Sequence, residues 1–198
     1  MGGSCNDVSG AVADKLVSLF RSSWYNHFML KVKRKEAVYA FIDAQNLNLG
    51  VRSQGWKLDF ARFRKYLADK YQVQKAFICI GFVEDNQLLY TYLQESGYIC
   101  VFKPTLRMSR HKKITVKGNV DAELVLRTMI EYGNYSKVII VSGDGDFHCL
   151  VEYLDEKDKL LKVIVPNKNY SSLLRRFRQY IVHVGDFKFK VKVQKKRE

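Results

Sequence analysis

The sequence predicts an α/β fold in which helices flank a central parallel sheet in a doubly wound arrangement. Three observations support this prediction. From Ala37 onward, short apolar runs rich in β-branched and aromatic residues alternate with amphipathic segments, a pattern typical of βαβ units. The chain has 198 residues, 47% of them hydrophobic, which is enough for one sizeable core. The sequence contains no internal repeats, so one domain with terminal extensions is expected.

Six apolar runs are predicted to be strands, at residues 38–43, 76–83, 98–102, 138–141, 161–165 and 180–184. Helices are predicted between them, around Phe63, Leu89, Leu124 and Leu150, because apolar residues there recur near positions i, i+3, i+4 and i+7. Three residues stand where helix N-caps belong and one where a helix should stop: Asp59, Asn86 and Asn119 as caps, and Gly97 as the stop.

Both ends of the chain lie outside this pattern. Residues 1–35 are predicted to form a helix through Val12, Leu16 and Phe20 that ends in the basic run KVKRK. Residues 36–186 would form the main domain, and residues 187–198 a lysine-rich tail. FKFKVKV alternates strictly after Gly185 and Asp186, which predicts a basic C-terminal β extension. Its lysines would lie on the wet face of a hairpin or protect a sheet edge.

The chain is strongly basic, with 34 Lys and Arg against 20 Asp and Glu and a formal charge of +14. Such a charge attracts polyanions, so nucleic acid is the expected partner, although a ribosomal protein or an anionic-membrane binder would carry the same excess. No apolar run approaches the ~18 residues of a membrane span, and the cysteines lack CxxC pairing. We expect a cytoplasmic protein that binds nucleic acid and no membrane. Walker, GxGxxG and GxSxG patterns are absent, which excludes the usual nucleotide-binding and serine-hydrolase signatures.

Four aspartates from three segments are the candidate catalytic and metal-binding residues. Asp43 ends the first predicted strand, Asp144 and Asp146 follow the fourth, and Asp121 opens a helix. Ligands of open α/β sheets bind at the carboxyl ends of strands. Singly, each aspartate is explained by a helix cap, a helix dipole or a turn. Together, converging carboxylates would repel one another unless a divalent cation were bound. Mg²⁺ or Mn²⁺ suits oxygen ligands, whereas the histidines lack zinc-ligand spacing.

The stretches that carry these aspartates resemble the NYN domain of the PIN-like nucleases, in its LabA-like branch. FIDAQN, KGNVDAEL and VSGDGDFHCLVEYL occur in this order, and the resemblance spans roughly residues 37–186. It implies a PIN-like fold and a metal-dependent endoribonuclease. The residues it assigns to the metal and the surrounding pocket are Asp43, Asp121, Asp144 and Asp146, with Asn46 and Ser142 as pocket lining. A catalytically silent RNA-binding module of the same fold is the alternative.

The basic loop RMSRHKKITVK precedes the helix that Asp121 opens, so it would flank the proposed cleft and contact RNA phosphates. The residues expected to bind RNA are Arg107, Arg110, Lys112, Lys113 and Lys117. A run of charges is also typical of a solvated surface, and only the position of this one favours a binding role. Arg175, Arg176 and Arg178 form a second basic cluster.

Overall fold

In this computed structural model, the described residues are 36–103, 106–110, 113–117 and 120–194, with side chains described for 36–103 and 121–194. The helix predicted within residues 1–35 lies outside them, as does Asn119. The described part of the chain contains no helix that is both long and apolar enough to cross a membrane.

The described strands form one central sheet and one separate hairpin. They are β1 (Val38–Asp43), β2 (Val73–Gly81), β3 (Tyr98–Lys103), β4 (Leu106–Arg110), β5 (Lys113–Lys117), β6 (Lys137–Val141), β7 (Leu160–Val165) and β8 (Ile181–His183). The sheet has the order β3-β2-β1-β6-β7-β8 and is parallel throughout. The α/β, PIN-like fold class and the six predicted strands are therefore confirmed. Strand order reverses between β1 and β6, which makes their carboxyl ends the switch point where ligands of such sheets bind.

Strand β1 lies at the centre of the hydrophobic core, and all six of its residues are buried. A parallel strand covered by helices on both faces reads as a continuous apolar run, which is why the sequence predicts its bounds so well. Its side chains alternate between two core layers. Ala40 and Ile42 pack into one cluster, and Tyr39 and Phe41 into the other.

Helices cover both faces of the sheet. They are α1 (Ala44–Arg52), α2 (Phe60–Tyr71), α3 (Gln87–Glu95), α4 (Val120–Ile130), α5 (His148–Glu156) and α6 (Lys188–Val191). Helices α2 to α5 match predicted segments, whereas α1 was not predicted. Asp59 caps α2 by accepting the Arg62 N–H at 3.0 Å, and Gly97 follows α3 with a φ of 87°, as predicted. Asn86 stands at the N-cap of α3 but forms no side-chain capping bond in the described structure.

The C-terminal segment is helical, so the predicted β extension is wrong. A 3-10 turn, Val184–Phe187, leads directly into α6. Phe187 and Val191 lie four residues apart, a spacing that suits a helix, and both are buried. The Phe187 ring stacks on Phe63, with centroids 6.2 Å apart. Burial of these two apolar side chains therefore decides against the strand that strict alternation predicts.

The basic segment before α4 forms an antiparallel hairpin of β4 and β5, so its prediction as a loop is wrong. The backbone pairs Leu106 with Lys117 and Arg110 with Lys113. Ile114, Thr115 and Val116 are β-branched residues that favour strands, although the surrounding charges hide this signal in the sequence.

Candidate active site

The first part of the candidate site is the junction between β1 and α1. Asp43 ends β1 and caps α1, because its Oδ1 accepts the backbone N–H of Asn46 at 3.0 Å. This bond satisfies one of the unpaired donors of the first helical turn. However, Asp43 is only 5% exposed, and aspartates are seldom buried so fully without a charged partner. Capping explains the position of Asp43 in the chain but leaves its burial unexplained.

A hydrogen bond joins this junction to the loop after β6. The side-chain Oδ1 of Asn46 accepts the backbone N–H of Gly143 at 2.9 Å. Ser142, 1% exposed, accepts the Asp144 N–H at 3.2 Å. Strands β1 and β6 are parallel neighbours, so both loops leave the same edge of the sheet. Of the two predicted pocket-lining residues, Asn46 thus joins the β1–α1 junction to the loop after β6, and Ser142 holds the backbone of that loop itself.

The loop after β6 carries two of the predicted aspartates. Asp144 caps the 3-10 helix Gly145–Phe147, with its Oδ1 accepting the Asp146 N–H at 3.1 Å. Asp144 is half-buried, whereas Asp146 is exposed. This loop therefore carries one partly buried carboxylate, that of Asp144, and one exposed carboxylate, that of Asp146.

The electrostatics of Asp43 show that other carboxylates lie nearby. Burial raises the pKa of Asp43, and the negative charges of Asp121 and Asp144 raise it further. Hydrogen bonds from the backbone of Asn46 and Gln45 act in the opposite direction and lower this pKa. The charged form of Asp43 is therefore disfavoured by its surroundings in the absence of a cation.

Asp121, in the first turn of α4, belongs to the same group. Burial raises its pKa, the charges of Asp144 and Asp146 raise it further, and Lys103 lowers it. Charge interactions weaken with distance and are screened by salt, so these mutual effects require the carboxylates to share one region. Asp121 therefore lies near Asp43 and near the two aspartates of the loop after β6.

The carboxylates approach one another without closing a full set of ligands. Among the residues that the structure describes, no three His, Cys, Asp or Glu side chains are close enough together to hold a metal ion. Mg²⁺ is commonly bound through one or two carboxylates, with water and substrate oxygens in its other positions. The acidic, oxygen-only donor set fits such an ion in its chemistry.

The loop after β7 forms a wall of the site that the sequence reasoning missed. It packs so closely that a Cβ on Gly145 would lie 2.4 Å from the Ser171 Oγ, and a Cβ on Gly50 would lie 2.6 Å from the Pro166 ring. The backbone of Ser171 also donates to the Gly143 carbonyl at 2.9 Å. The glycines of the SGDGD stretch were the available signal, because glycine permits such close approach.

A fifth acid, Glu123, was also missed. Cys79 lies opposite Asp43 in the register of β2 and β1. Burial raises the pKa of the Cys79 thiol to about 12, with Asp43 and Glu123 adding to the shift and Arg127 opposing it. The thiol is therefore uncharged, and half-buried Glu123 adds negative charge near the same edge. Its place in the first turn of α4 has an ordinary explanation in the helix dipole, which is why the sequence did not single it out.

The predicted RNA-binding residues remain a prediction. Arg107 and Arg110 lie on β4, and Lys113 and Lys117 on β5, but their side chains and the whole of Lys112 lie outside the described residues. The hairpin precedes α4, whose first turn carries Asp121, as the prediction requires. In the second basic cluster, Arg175, Arg176 and Arg178 are exposed, and Arg176 pairs with Glu152 at 2.7 Å.

The chain resembles known proteins in both sequence and structure. The profile of the NYN domain family matches residues 37–184. The chain is 23% identical over 162 residues to the low amplitude and bright protein LabA of Synechococcus elongatus, covering 78% of this chain and 87% of that protein. It is also similar in structure to a protein of unknown function from Vibrio parahaemolyticus, with a TM-score of 0.62 and 25% identity, covering 81% of this chain and 98% of that one.

Proposed function

Because this chain belongs to the NYN domain family, we propose that it is a metal-dependent endoribonuclease that hydrolyses RNA phosphodiester bonds at the edge between β1 and β6. The observation that carries the proposal is that Asp43, Asp121, Asp144 and Asp146, from three segments, lie near enough for their charges to raise the pKa of the buried Asp43 and of Asp121. The formal charge of +14 supports a polyanionic substrate, because a basic surface steers such molecules to the protein.

Asp43 and Asp144 are the proposed direct ligands of Mg²⁺ or Mn²⁺, and Asp121 and Asp146 act through water. Burial and neighbouring carboxylates disfavour the charged form of Asp43, and a divalent cation reverses that balance. Held by Asp43 and Asp144, such an ion would supply a polarised water molecule and would compensate the negative charge that grows on the phosphate.

The remaining residues of the site keep these carboxylates in position. The Asn46 amide oxygen accepts the Gly143 N–H and so holds the loop after β6 against the start of α1. The Ser142 hydroxyl fixes the Asp144 backbone within that loop. Basic residues of the β4–β5 hairpin, Lys117 foremost, grip phosphates on either side of the scissile bond. No covalent nucleophile from the protein is needed.

Replacing Asp144 by asparagine tests the site. We expect Asp144→Asn to abolish cleavage of labelled single-stranded and structured RNAs in Mg²⁺ or Mn²⁺, as EDTA does to the wild type. RNA binding should stay intact or become tighter, because one repelling charge is removed. The matched control is Asp158→Asn, since Asp158 is exposed and pairs with Lys137 at the start of β6, at the opposite edge of the sheet.

The outcomes separate enzyme from binding module. Cleavage by Asp144→Asn with metal present would remove this site from the reaction. Binding without cleavage by the wild type under every metal condition would instead identify a catalytically silent RNA-binding module. Metal binding has its own readout: Mn²⁺ at about 100 times its Kd should stabilise the wild type by about 2.7 kcal/mol, and Asp43→Asn by much less.

A further inference from the structure

Helix α2 presents a basic face on the side away from the core. Phe63 and Leu67 are buried beneath it, while the outer positions follow helical spacing and so form one stripe. The residues of that stripe are Arg62, Lys65, Tyr66, Asp69 and Lys70. Together with Phe189 and Lys190 of α6, they line a concave surface of about 490 Å³, which we name the α2–α6 groove.

The second wall of the groove is held in place by two hydrogen bonds to backbone carbonyls of α6. The Asp59 N–H donates to the Val191 carbonyl at 2.8 Å, and the Arg62 Nε donates to the Lys190 carbonyl at 2.9 Å. These bonds join segments that are distant in the sequence and fix Phe189 and Lys190 beside α2. The groove is therefore a built feature of the fold, and it shares no lining residue with the carboxylate site.

The charge of the groove favours an anion. Four cationic side chains line it against one carboxylate, that of Asp69. Asp69 pairs with Lys65 at 3.4 Å, but both side chains are largely exposed, at 63% and 79%. Exposed ion pairs of this kind contribute little, so a phosphate can readily take the place of the Asp69 carboxylate.

Two aromatic rings lie among these cations. Phe189 is 78% exposed, and the Lys192 Nζ lies over its ring, 5.0 Å from the centroid. Tyr66 stacks on Phe187, with centroids 4.2 Å apart, and the Lys190 Nζ lies 5.9 Å from the Tyr66 ring centroid.

We propose that the α2–α6 groove binds single-stranded RNA, with its cationic side chains on the phosphates and an unpaired base stacked on Phe189. Interleaved cations and exposed rings are what single strands require, because every base offers a face for stacking and every linkage offers a charge. In a duplex the base faces are stacked on one another and cannot stack on Phe189. An acidic peptide has no base to stack on this ring. The inference rests on RNA as the proposed substrate but not on its hydrolysis.

Anisotropy of a fluorescein-labelled oligouridine of about 12 nucleotides, within the span of known single-strand sites, tests the groove in the full chain with EDTA present. Phe189→Leu keeps the apolar bulk and loses the aromatic face, so we expect binding to weaken roughly 5- to 150-fold, the equivalent of one stacked base. Phe189→Trp should bind as tightly as the wild type.

The cationic side chains are tested by Lys65→Ala/Lys70→Ala. Losing two phosphate contacts should make the salt dependence weaker, reducing the magnitude of the slope of log affinity against log salt concentration by about 1.4. The matched control is Lys75→Ala/Lys157→Ala, which removes the same charge from exposed lysines outside the groove and should change the slope much less.

The inference is overturned if Phe189→Leu binds as the wild type does, if both lysine pairs have equal effects, or if duplex RNA or polyglutamate competes as well as single-stranded RNA. Its failure is distinct from failure of the proposed function. If the wild type cleaves RNA but the groove variants bind RNA as tightly as the wild type, only the inference about the groove is wrong. If binding depends on the groove but no metal supports cleavage, only the proposed nuclease activity is wrong.

Discussion

Asp43 and Asp59 each precede a helix in extended backbone geometry, and each accepts the N–H of the residue three positions later at 3.0 Å. Their surroundings differ. Asp59 is half-buried and also accepts the Tyr92 hydroxyl at 3.2 Å, whereas Asp43 is buried at the sheet edge, where Asp121 and Asp144 add to the rise in its pKa. The capping geometry is the same at both residues. The candidate functional aspartate differs from the structural one because other carboxylates lie near it.

The largest difference is expected when each capping aspartate is replaced by asparagine and RNA cleavage is measured. Asparagine caps helices as well as aspartate does, so both variants should fold. Asp43→Asn should lower RNA cleavage by at least roughly 100-fold, the upper range for groups that support a metal site. Asp59→Asn should leave cleavage within about threefold of the wild type, because the cap is preserved. Initial rates in Mn²⁺ measure both, and equal losses would mean that the caps differ in nothing but burial.

A smaller effect is expected at the residues that donate to the two caps. Asn46→Ala removes the acceptor of the buried Gly143 N–H, which should lower the free energy of unfolding by about 1–3 kcal/mol and slow cleavage. Arg62→Ala, at the matching position of α2, removes an exposed hydrogen bond to Lys190 and should lower the free energy of unfolding by less. Urea denaturation gives both values. A larger loss of stability for Arg62→Ala would contradict the argument that the hydrogen bond from Gly143 to Asn46 stabilises the fold.

The smallest effect is a pH dependence at the Asp43 junction. Asp43 has a folded-state pKa above its ordinary value of 3.8, so the stability it contributes is complete below that value and is lost as the pH rises through the raised pKa. In EDTA, Asp43→Asn should therefore gain stability relative to the wild type as the pH rises from about 4 through the raised pKa of Asp43. Mn²⁺ should remove that advantage. Denaturation curves across this range test it, and a constant difference would contradict the burial argument.

The fold could be predicted wherever burial leaves a continuous or periodic trace. All six residues of β1 are buried, and its predicted bounds are those of the structure. Helix α1 left a weaker trace, because AQNLNLGVR buries only Ala44, Leu47 and Val51 and contains Gly50. Glycine is a poor helix former, but the Pro166 ring leaves no room for a Cβ there. Tertiary packing therefore selected a residue that argues locally against the helix.

The candidate site divides along the same line. Acids that follow strands are visible in the sequence, because parallel topology sends the carboxyl ends of strands to one edge. The bond between Asn46 and Gly143, and the approach of Ser171 to Gly145, join segments that no local pattern relates. The C-terminal alternation misled for a related reason: Phe187 and Val191 suit either a strand or a helical turn, and the pocket beside Phe63 decides.

The hydrogen bond from Gly143 to Asn46 spans 97 positions, and that from Gln54 to the Pro166 carbonyl spans 112. Contacts of such separation form late, and a protein emerging from the ribosome acquires them only when the distal partner has been synthesised. Asp43 leaves the exit tunnel long before the strands that complete its surroundings. A nascent chain therefore lacks this arrangement of aspartates until β6 and the loop after it have been synthesised.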